Sequence, residues 1–99
     1  MTADKNILLE TTVVASKEQA SADLGDEAAI LNLKDGVYYG LDPVGARIWK
    51  LIQTQRTVRE VLDSLLEEYD VEADRCEEDL IAVLLQLAKN DIIEIVDNV

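Results

Sequence analysis

Residues 34–49, "KDGVYYGLDPVGARIW", combine a turn signal, a strand and the start of a helix. The Asp35-Gly36 pair is a strong hairpin signal, because a two-residue type I′ turn needs positive φ at both central positions. Val37–Leu41 follows with neither charge nor proline, which is typical of a strand. Asp42-Pro43 then starts a helix, since aspartate caps free amides and proline at the first helical position loses no needed donor. The stretch therefore predicts a hairpin that runs directly into a helix.

A two-residue turn sets the register of this hairpin by placing Lys34 opposite Val37. Side chains that share a face alternate along each strand. One face is then predicted to carry Leu31, Leu33 and Tyr38, and the other Ile30, Val37, Tyr39 and Leu41. Both faces are largely apolar, so both are expected to be covered. The pattern leaves open whether Tyr38 or Tyr39 lines a binding surface.

The remaining strands are predicted from short β-branched or apolar runs. The first strand is Thr11–Ser16, and Glu27–Lys34 is the strand before the Asp-Gly turn. Residues 17–25 show no clear period and are predicted to be a loop. The C-terminal run "DIIEIVDNV" is expected to form a short strand or an extended tail, with either Ile93 and Ile95 or Ile92 and Val96 pointing inward.

Three helices follow the hairpin. The first should end near Thr54, and the second begins at the capping box Thr57–Glu60. Its apolar residues recur at helical spacing up to Tyr69. The third runs from about Ala73 to Lys89, and its apolar arc spans roughly 200°, where a core-facing stripe needs little more than about 100°. The residues of this arc are Cys76, Leu80, Ile81, Val83, Leu84, Leu85, Leu87 and Ala88.

Composition restricts the function classes. The 99 residues include 9 Lys and Arg against 21 Asp and Glu, a net charge of −12. This charge repels phosphate backbones and favours a basic or neutral partner. The single cysteine allows no internal disulfide, and no signal peptide or apolar run near the roughly 20 residues of a membrane span is present. We predict one cytoplasmic domain, residues 1–99, with residues 1–6 disordered.

Catalytic and cofactor chemistry is poorly represented. No histidine is present, which removes the commonest general base and metal ligand. Cys76 is better interpreted as a small buried hydrophobe than as a reactive thiol. The acidic run in residues 65–80 lacks the spacing of a calcium loop and is better interpreted as a solvated helix end. Trp49 and Tyr69 are expected to pack in the core. We therefore predict neither a catalytic residue, a metal site nor a cofactor.

A binding module is the class that remains. If Val37–Leu41 lies at a sheet edge, its backbone groups are unprotected, although natural proteins usually defend such an edge. An extended peptide can add to an open edge through main-chain hydrogen bonds. The excess apolar margin of the third helix could supply pockets for its side chains.

Three stretches of the sequence form a recognisable set: "YYGLDPVGARIW" at 38–49, "TVREVLDSLLEEYDV" at 57–71 and "DLIAVLLQLAKNDII" at 79–93. In motif order and spacing, from about residue 26 to 95, the chain resembles the PqqD-like family. The resemblance implies an α+β fold, a winged helix-turn-helix whose N-terminal three-stranded antiparallel sheet packs on three helices. It also implies a leader-peptide recognition element for ribosomally made, modified peptides.

The resemblance further implies where a leader would bind. The leader adds as a strand and lies against the third helix. Carried onto this chain, the peptide-binding residues are Val37, Tyr38, Tyr39, Gly40, Leu41, Cys76, Asp79, Leu80, Val83, Leu84 and Leu87. This flank of the helix is chosen over the one with Ile81 and Leu85, although the helical wheel alone does not separate them.

The implied partners are a precursor leader and a leader peptidase or other maturation enzyme, as in small free-standing members that serve lasso-peptide synthesis. Presentation to a radical enzyme, as in pyrroloquinoline quinone synthesis, is the alternative. A DNA-binding winged helix is a weaker rival, because residues 74–79 are mostly acidic. The sequence also leaves open a homodimer formed through the edge strand.

Overall fold

A computed structural model describes residues 7–17, 19–25 and 27–96 of the chain. The elements in order are β1 (Thr12–Ala15), β2 (Gln19–Leu24), β3 (Glu27–Asn32), β4 (Tyr38–Leu41), α1 (Pro43–Leu51), β5 (Arg56–Thr57), α2 (Val58–Glu68), α3 (Ala73–Lys89) and β6 (Ile93–Val96). The predicted α+β class is confirmed. The predicted disorder of residues 1–6 lies outside the described residues.

The strands form two antiparallel three-stranded sheets, with orders β2-β3-β4 and β5-β1-β6. Two predictions are therefore wrong. Residues 19–24 form a strand instead of a loop, because six residues of β2 pair in register with β3, from Gln19 opposite Asn32 to Leu24 opposite Glu27. The first predicted strand does not join this sheet, since β1 pairs with β6 and with the two residues of β5.

The β3–β4 hairpin forms, but the predicted two-residue turn and register are wrong. Tyr39 lies opposite Ile30 and Tyr38 opposite Leu31, so the pairing shifts by two residues along β3. Gly36 has φ of 73° while Asp35 stays at negative φ, which excludes a type I′ turn. Residues 33–36 form a longer loop that two side chains stabilise. The Asn32 side-chain oxygen accepts a hydrogen bond from the Lys34 amide at 2.9 Å, and the Asp35 carboxylate accepts one from the Val37 amide at 2.9 Å. A two-residue shift preserves the predicted faces.

Local capping explains where the first two helices start. The Asp42 carboxylate accepts a hydrogen bond from the Gly45 amide at 2.8 Å, with Pro43 as the first helical residue. Thr57 and Glu60 complete the predicted capping box, in which each side chain accepts a bond from the other residue's amide. Helix α1 ends at Leu51, three residues before the predicted Thr54. Helix α3 has the predicted bounds.

The core lies where the helices meet one face of each sheet. Its fully buried residues come from both sheets and all three helices: Val13, Ile30, Ile48, Ile52, Val58, Val61, Leu65, Leu80, Leu84 and Ile92. Trp49 is also buried, as predicted, and Tyr69 packs at the edge of the core. Ile93 is buried but Ile95 is exposed, so the first predicted inward pair is wrong. Of the alternative pair, Ile92 is buried and Val96 is half-buried.

Candidate functional site

Strand β4 presents an open edge. Its sheet has the order β2-β3-β4, and among the described residues no strand pairs with its other side. The Asn32 amide donates to the Val37 carbonyl at 2.9 Å. Since bonded and non-bonded pairs alternate along an antiparallel ladder, Tyr38 and Gly40 turn their N–H and C=O groups away from β3. The open edge therefore offers two donors and two acceptors at Tyr38 and Gly40.

A cavity of about 460 Å³, called the groove here, lies between the open edge and α3. The β4 side and the start of α1 contribute Tyr38, Tyr39, Gly40, Leu41, Asp42 and Gly45, and α3 with its C-cap contributes Val83, Gln86, Leu87 and Asn90. Tyr39 and Leu41 pack partly against the core, whereas Tyr38 is 66% exposed. Tyr39 and Leu41 share one face of β4, and Tyr38 belongs to the other face, as strand alternation requires.

A second cavity, called the pocket here, has a volume of about 160 Å³ and lies where α1, α2 and α3 meet. It is lined by Val44, Ile48, Leu65, Tyr69, Val71, Arg75, Cys76, Asp79, Leu80 and Val83. Ile48, Leu65 and Leu80 are almost fully buried and form its floor, while Val44 and Val71 are 43% and 50% exposed. Val83 lines both cavities, so the groove and the pocket meet at this side chain.

The predicted site residues separate into four groups. The groove brings together Tyr38, Tyr39, Gly40, Leu41, Val83 and Leu87, and the pocket brings together Cys76, Asp79, Leu80 and Val83. Leu84 is fully buried and lines neither cavity. Val37 is exposed and precedes β4. Ile81 and Leu85, on the flank that was not chosen, line neither cavity.

Several lining residues were missed by sequence reasoning. Gln86 of α3 and its C-cap Asn90 line the groove, and Val44, Val71 and Arg75 line the pocket. Gln86 and Asn90 follow Val83 by three and seven residues, which is the spacing of one helix face. The sequence-based prediction of the peptide-binding residues could therefore have included the polar residues on that face. Val71 stands between two helices, where no periodicity marks its direction.

Asn32 connects the hairpin to the end of α3. Its side chain is buried and donates from Nδ2 to the Asn90 carbonyl at 3.2 Å. The same residue accepts from the Lys34 amide through its side chain and from the Gly36 amide through its carbonyl. Buried polar groups with all partners satisfied hold neighbouring elements in one arrangement. Asn32 thus ties β3 to the C-terminal end of α3, beside the groove.

The pocket wall contains one titratable group with a displaced pKa. Burial raises the pKa of the Cys76 thiol above its ordinary value, and the negative charge of Asp79 raises it further. The thiolate is the nucleophilic form, so Cys76 is a poor nucleophile near neutral pH. Among the described residues, no group of three His, Cys, Asp or Glu side chains could hold a metal ion. No helix in the described ranges is long and apolar enough to span a membrane.

Alkylation by iodoacetamide should reveal this displacement. At pH 8 we expect Cys76 to react more slowly in the folded protein than in urea, because a higher pKa leaves less thiolate at a given pH. Asp79→Asn removes the smaller of the two causes that raise the Cys76 pKa, so the alkylation rate should increase. The rate should stay below that of the unfolded chain, because Cys76 remains partly buried. Glu78→Gln, one residue away, is the control and should change little. Equal rates for folded and unfolded protein would contradict the assignment.

The chain matches the family described as Coenzyme PQQ synthesis protein D (PqqD) over residues 27–93. Among solved structures, it is similar to the protein in "TbiB1 in Complex with the TbiA(beta) Leader Peptide". The two are 35% identical with a TM-score of 0.79, over 86% of this chain and 99% of that one. No curated protein matches the chain.

Proposed function

Because the chain belongs to the PqqD family, we propose that it is a non-catalytic adaptor that binds the leader segment of a ribosomally synthesised precursor peptide. The leader would add as a strand to the open edge of β4 and lie against α3. The observation that carries the proposal is the open edge facing α3 across the groove. The similarity to a protein solved with a leader peptide supports the same function.

The groove has the two components that strand addition requires. Main-chain hydrogen bonds supply affinity, and pockets for alternate side chains supply specificity. A guest strand lies about 4.8 Å from its neighbour, so its amides can reach Tyr38 and Gly40 directly. Alternate guest side chains would then point toward Val83 and Leu87 of α3. Tyr39 and Leu41 would share this side of the extended sheet, and Tyr38 the other.

We further propose that the bound precursor is presented to a separate leader peptidase and a cyclase, as in lasso-peptide synthesis. The segment "YYGLD", residues 38–42, resembles lasso-type members, which favours this pathway over presentation to a radical enzyme. We expect the adaptor to accelerate cleavage of a leader-bearing precursor by a leader peptidase. Acceleration of only a radical enzyme would assign the protein to quinone-type synthesis.

Leader binding should produce a specific pattern in amide NMR spectra. We expect the TbiA(beta) leader peptide to shift the amide resonances of residues 37–41. Hydrogen-exchange protection should increase most at Tyr38 and Gly40, whose amides point outward, and less at Tyr39 and Leu41, which already face β3. A scrambled peptide of the same composition is the control.

Two results would contradict strand addition. One is the absence of shifts in residues 37–41 with the TbiA(beta) leader and with every other precursor leader tested. The other is protection spread equally over all β4 amides. Sedimentation with and without peptide tests the competing occupant, a second copy of this chain. A dimer that persists when leader is added would indicate that β4 serves self-association.

The helical part favours a winged helix-turn-helix arrangement, which we also propose. β5 lies between α1 and α2, β6 follows α3, and the two flank β1 in one small sheet. DNA binding by this arrangement is nevertheless disfavoured. The start of α3 exposes Asp74, Glu78 and Asp79, and the whole chain carries a charge of −12. Salt-sensitive affinity for duplex DNA would reverse this conclusion.

A further inference from the structure

We propose that Asn32 is a positioning residue for peptide binding, because its side chain holds α3 at the distance from β4 that a guest strand needs. This inference rests on the proposed leader-binding function. It assigns part of the affinity to a buried residue that does not itself line the groove. The place of Asn32 beside the groove, its hydrogen bonds and its burial lead to this assignment.

The two walls of the groove are supported by different parts of the fold. β4 belongs to the sheet β2-β3-β4, whereas α3 packs mainly against α2 and β6. A guest strand lies about 4.8 Å from β4 and must contact α3 at the same time. A gap of about 1 Å forfeits up to about half of the attraction in a dispersion contact. A bond that fixes the separation of the two walls therefore preorganises the groove for its guest.

Asn32 makes such a connection through its backbone and its side chain. Its amide donates to the Val37 carbonyl at 2.9 Å and its carbonyl accepts from the Gly36 amide at 2.8 Å, which fixes the chain where β4 begins. Its side chain donates from Nδ2 to the Asn90 carbonyl at 3.2 Å and accepts at Oδ1 from the Lys34 amide at 2.9 Å. Asn90 is the C-cap of α3 and lines the groove. One residue thus joins the start of β4 to the opposite wall.

The carboxamide of Asn32 is the group that fits both side-chain partners. The Asn90 carbonyl needs a donor and the Lys34 amide needs an acceptor, and a carboxamide supplies one of each. Asn32 is 2% exposed, so a group left without its partner there is costly. The hairpin loop itself uses only the acceptor. The donor to the Asn90 carbonyl is therefore the part of the side chain that we assign to the groove.

Asn32→Asp separates the two side-chain bonds. The introduced carboxylate still accepts from the Lys34 amide, but it has no proton to donate to the Asn90 carbonyl. At about pH 7.5 we expect the Kd of the TbiA(beta) leader peptide to rise about tenfold, the effect of losing one buried hydrogen bond. At about pH 5.5 the ratio of variant to native Kd should fall to within about twofold of one. The reason is that burial raises the pKa of the introduced carboxyl, and its protonated form donates again.

Lys34→Gln is the matched control for the added negative charge. It lowers the net charge by the same one unit from an exposed position in the same loop, and the Lys34 backbone amide that bonds to Asn32 is retained. Its affinity should stay within about twofold of the native protein at both pH values. The charged residues beside the bonded groups are all exposed and balanced in sign, Lys34 and Lys89 against Asp35 and Asp91. Native protein measured at both pH values corrects for titration of these groups and of the peptide.

The native protein supplies a second measurement, which does not depend on the folding of a variant. Exchange of the Asn32 side-chain amide protons with water, followed by NMR, should slow when the TbiA(beta) leader peptide saturates the site. A ligand that requires the bonded arrangement also stabilises it, since the coupling between the two is reciprocal. Circular dichroism at both pH values shows whether Asn32→Asp is folded.

The outcomes separate the two proposals. A folded Asn32→Asp protein that binds leader as tightly as native protein at about pH 7.5 overturns the positioning role and leaves strand addition intact. A folded variant whose affinity does not recover at about pH 5.5 also overturns it. If the variant does not fold, native exchange decides, and exchange that leader leaves unchanged or accelerates overturns the proposal. Native protein that does not bind leader at all contradicts both proposals.

Discussion

Val83→Arg is expected to weaken binding of the TbiA(beta) leader by at least about a hundredfold, a loss of about 2.7 kcal/mol. Among the described residues, Val83 is the one side chain that lines both the groove and the pocket. Arginine there would fill the space between β4 and α3, and a bound peptide would have to desolvate its charge. The measurement is a fluorescence anisotropy titration of labelled leader.

The variant should remain folded. Val83 is half-buried, so the longer side chain can carry its charged end to solvent. Asp79 lies four residues earlier on the same face, and an acidic residue at that spacing stabilises a helix that carries a following arginine. The loss of affinity can then be assigned to the site instead of to unfolding, which far-ultraviolet circular dichroism verifies.

Ala82→Arg is the matched control for this substitution. It adds the same charge one residue earlier, at an exposed position that lines neither cavity. Its affinity should stay within about twofold of the native protein, because isolated surface charges change binding little. A folded Val83→Arg protein that binds leader normally would show that the leader does not pass between β4 and this part of α3.

Local signals predicted the elements that depend on neighbouring residues. The starts of α1 and α2 follow from Asp42-Pro43 and from the Thr57–Glu60 capping box, whose bonds form within four residues. The β3–β4 faces were also predicted, even though the register was wrong by two. A shift of two residues leaves every side chain on its face, because strand alternation has a period of two.

Long-range pairing was not predictable in the same way. Strand β2 has the sequence "QASADL", which lacks the β-branched residues that usually mark a strand, and its state depends on its partner β3. Strand β1 pairs with β6, whose register joins Thr12 to Val96 across almost the whole chain. No local period encodes such a partner. The turn failed for a related reason: the Asn32 and Asp35 side chains cap a longer loop.

The candidate site was likewise only partly predictable from the sequence. The wide apolar arc of α3 indicated that some of its residues are not needed for the core, but a helical wheel does not show which. The structure buries Leu84 completely and turns Val83 and Leu87 to the groove. Neighbours one residue apart on α3 thus occupy different environments. Packing of α3 against α2 and β6, which the sequence alone left undefined, decides between them.

Leu84→Arg should unfold most of the protein, in contrast to Val83→Arg. Leu84 has 0% exposure and belongs to the core cluster shared by all three helices. Arginine there combines lost apolar burial, overpacking and an unpaired buried charge, mechanisms that together cost more than about 4 kcal/mol. Small domains have a total stability of only about 5–15 kcal/mol. In a urea titration monitored by circular dichroism, we expect the cooperative unfolding transition to lose most of its amplitude.

Two further variants show whether burial is the cause. Leu84→Ala leaves a cavity without a charge and should cost about 2–5 kcal/mol, with a transition that remains cooperative. Leu85→Arg places the charge one residue later, where the side chain is 38% exposed, and should change stability by less than about 0.5 kcal/mol. From most to least stable, the variants should therefore rank Leu85→Arg, Leu84→Ala and Leu84→Arg. If Leu84→Arg unfolds at the same urea concentration as Leu85→Arg, the side of α3 assigned to the core is wrong, and the groove flank built from Val83 and Leu87 is wrong with it.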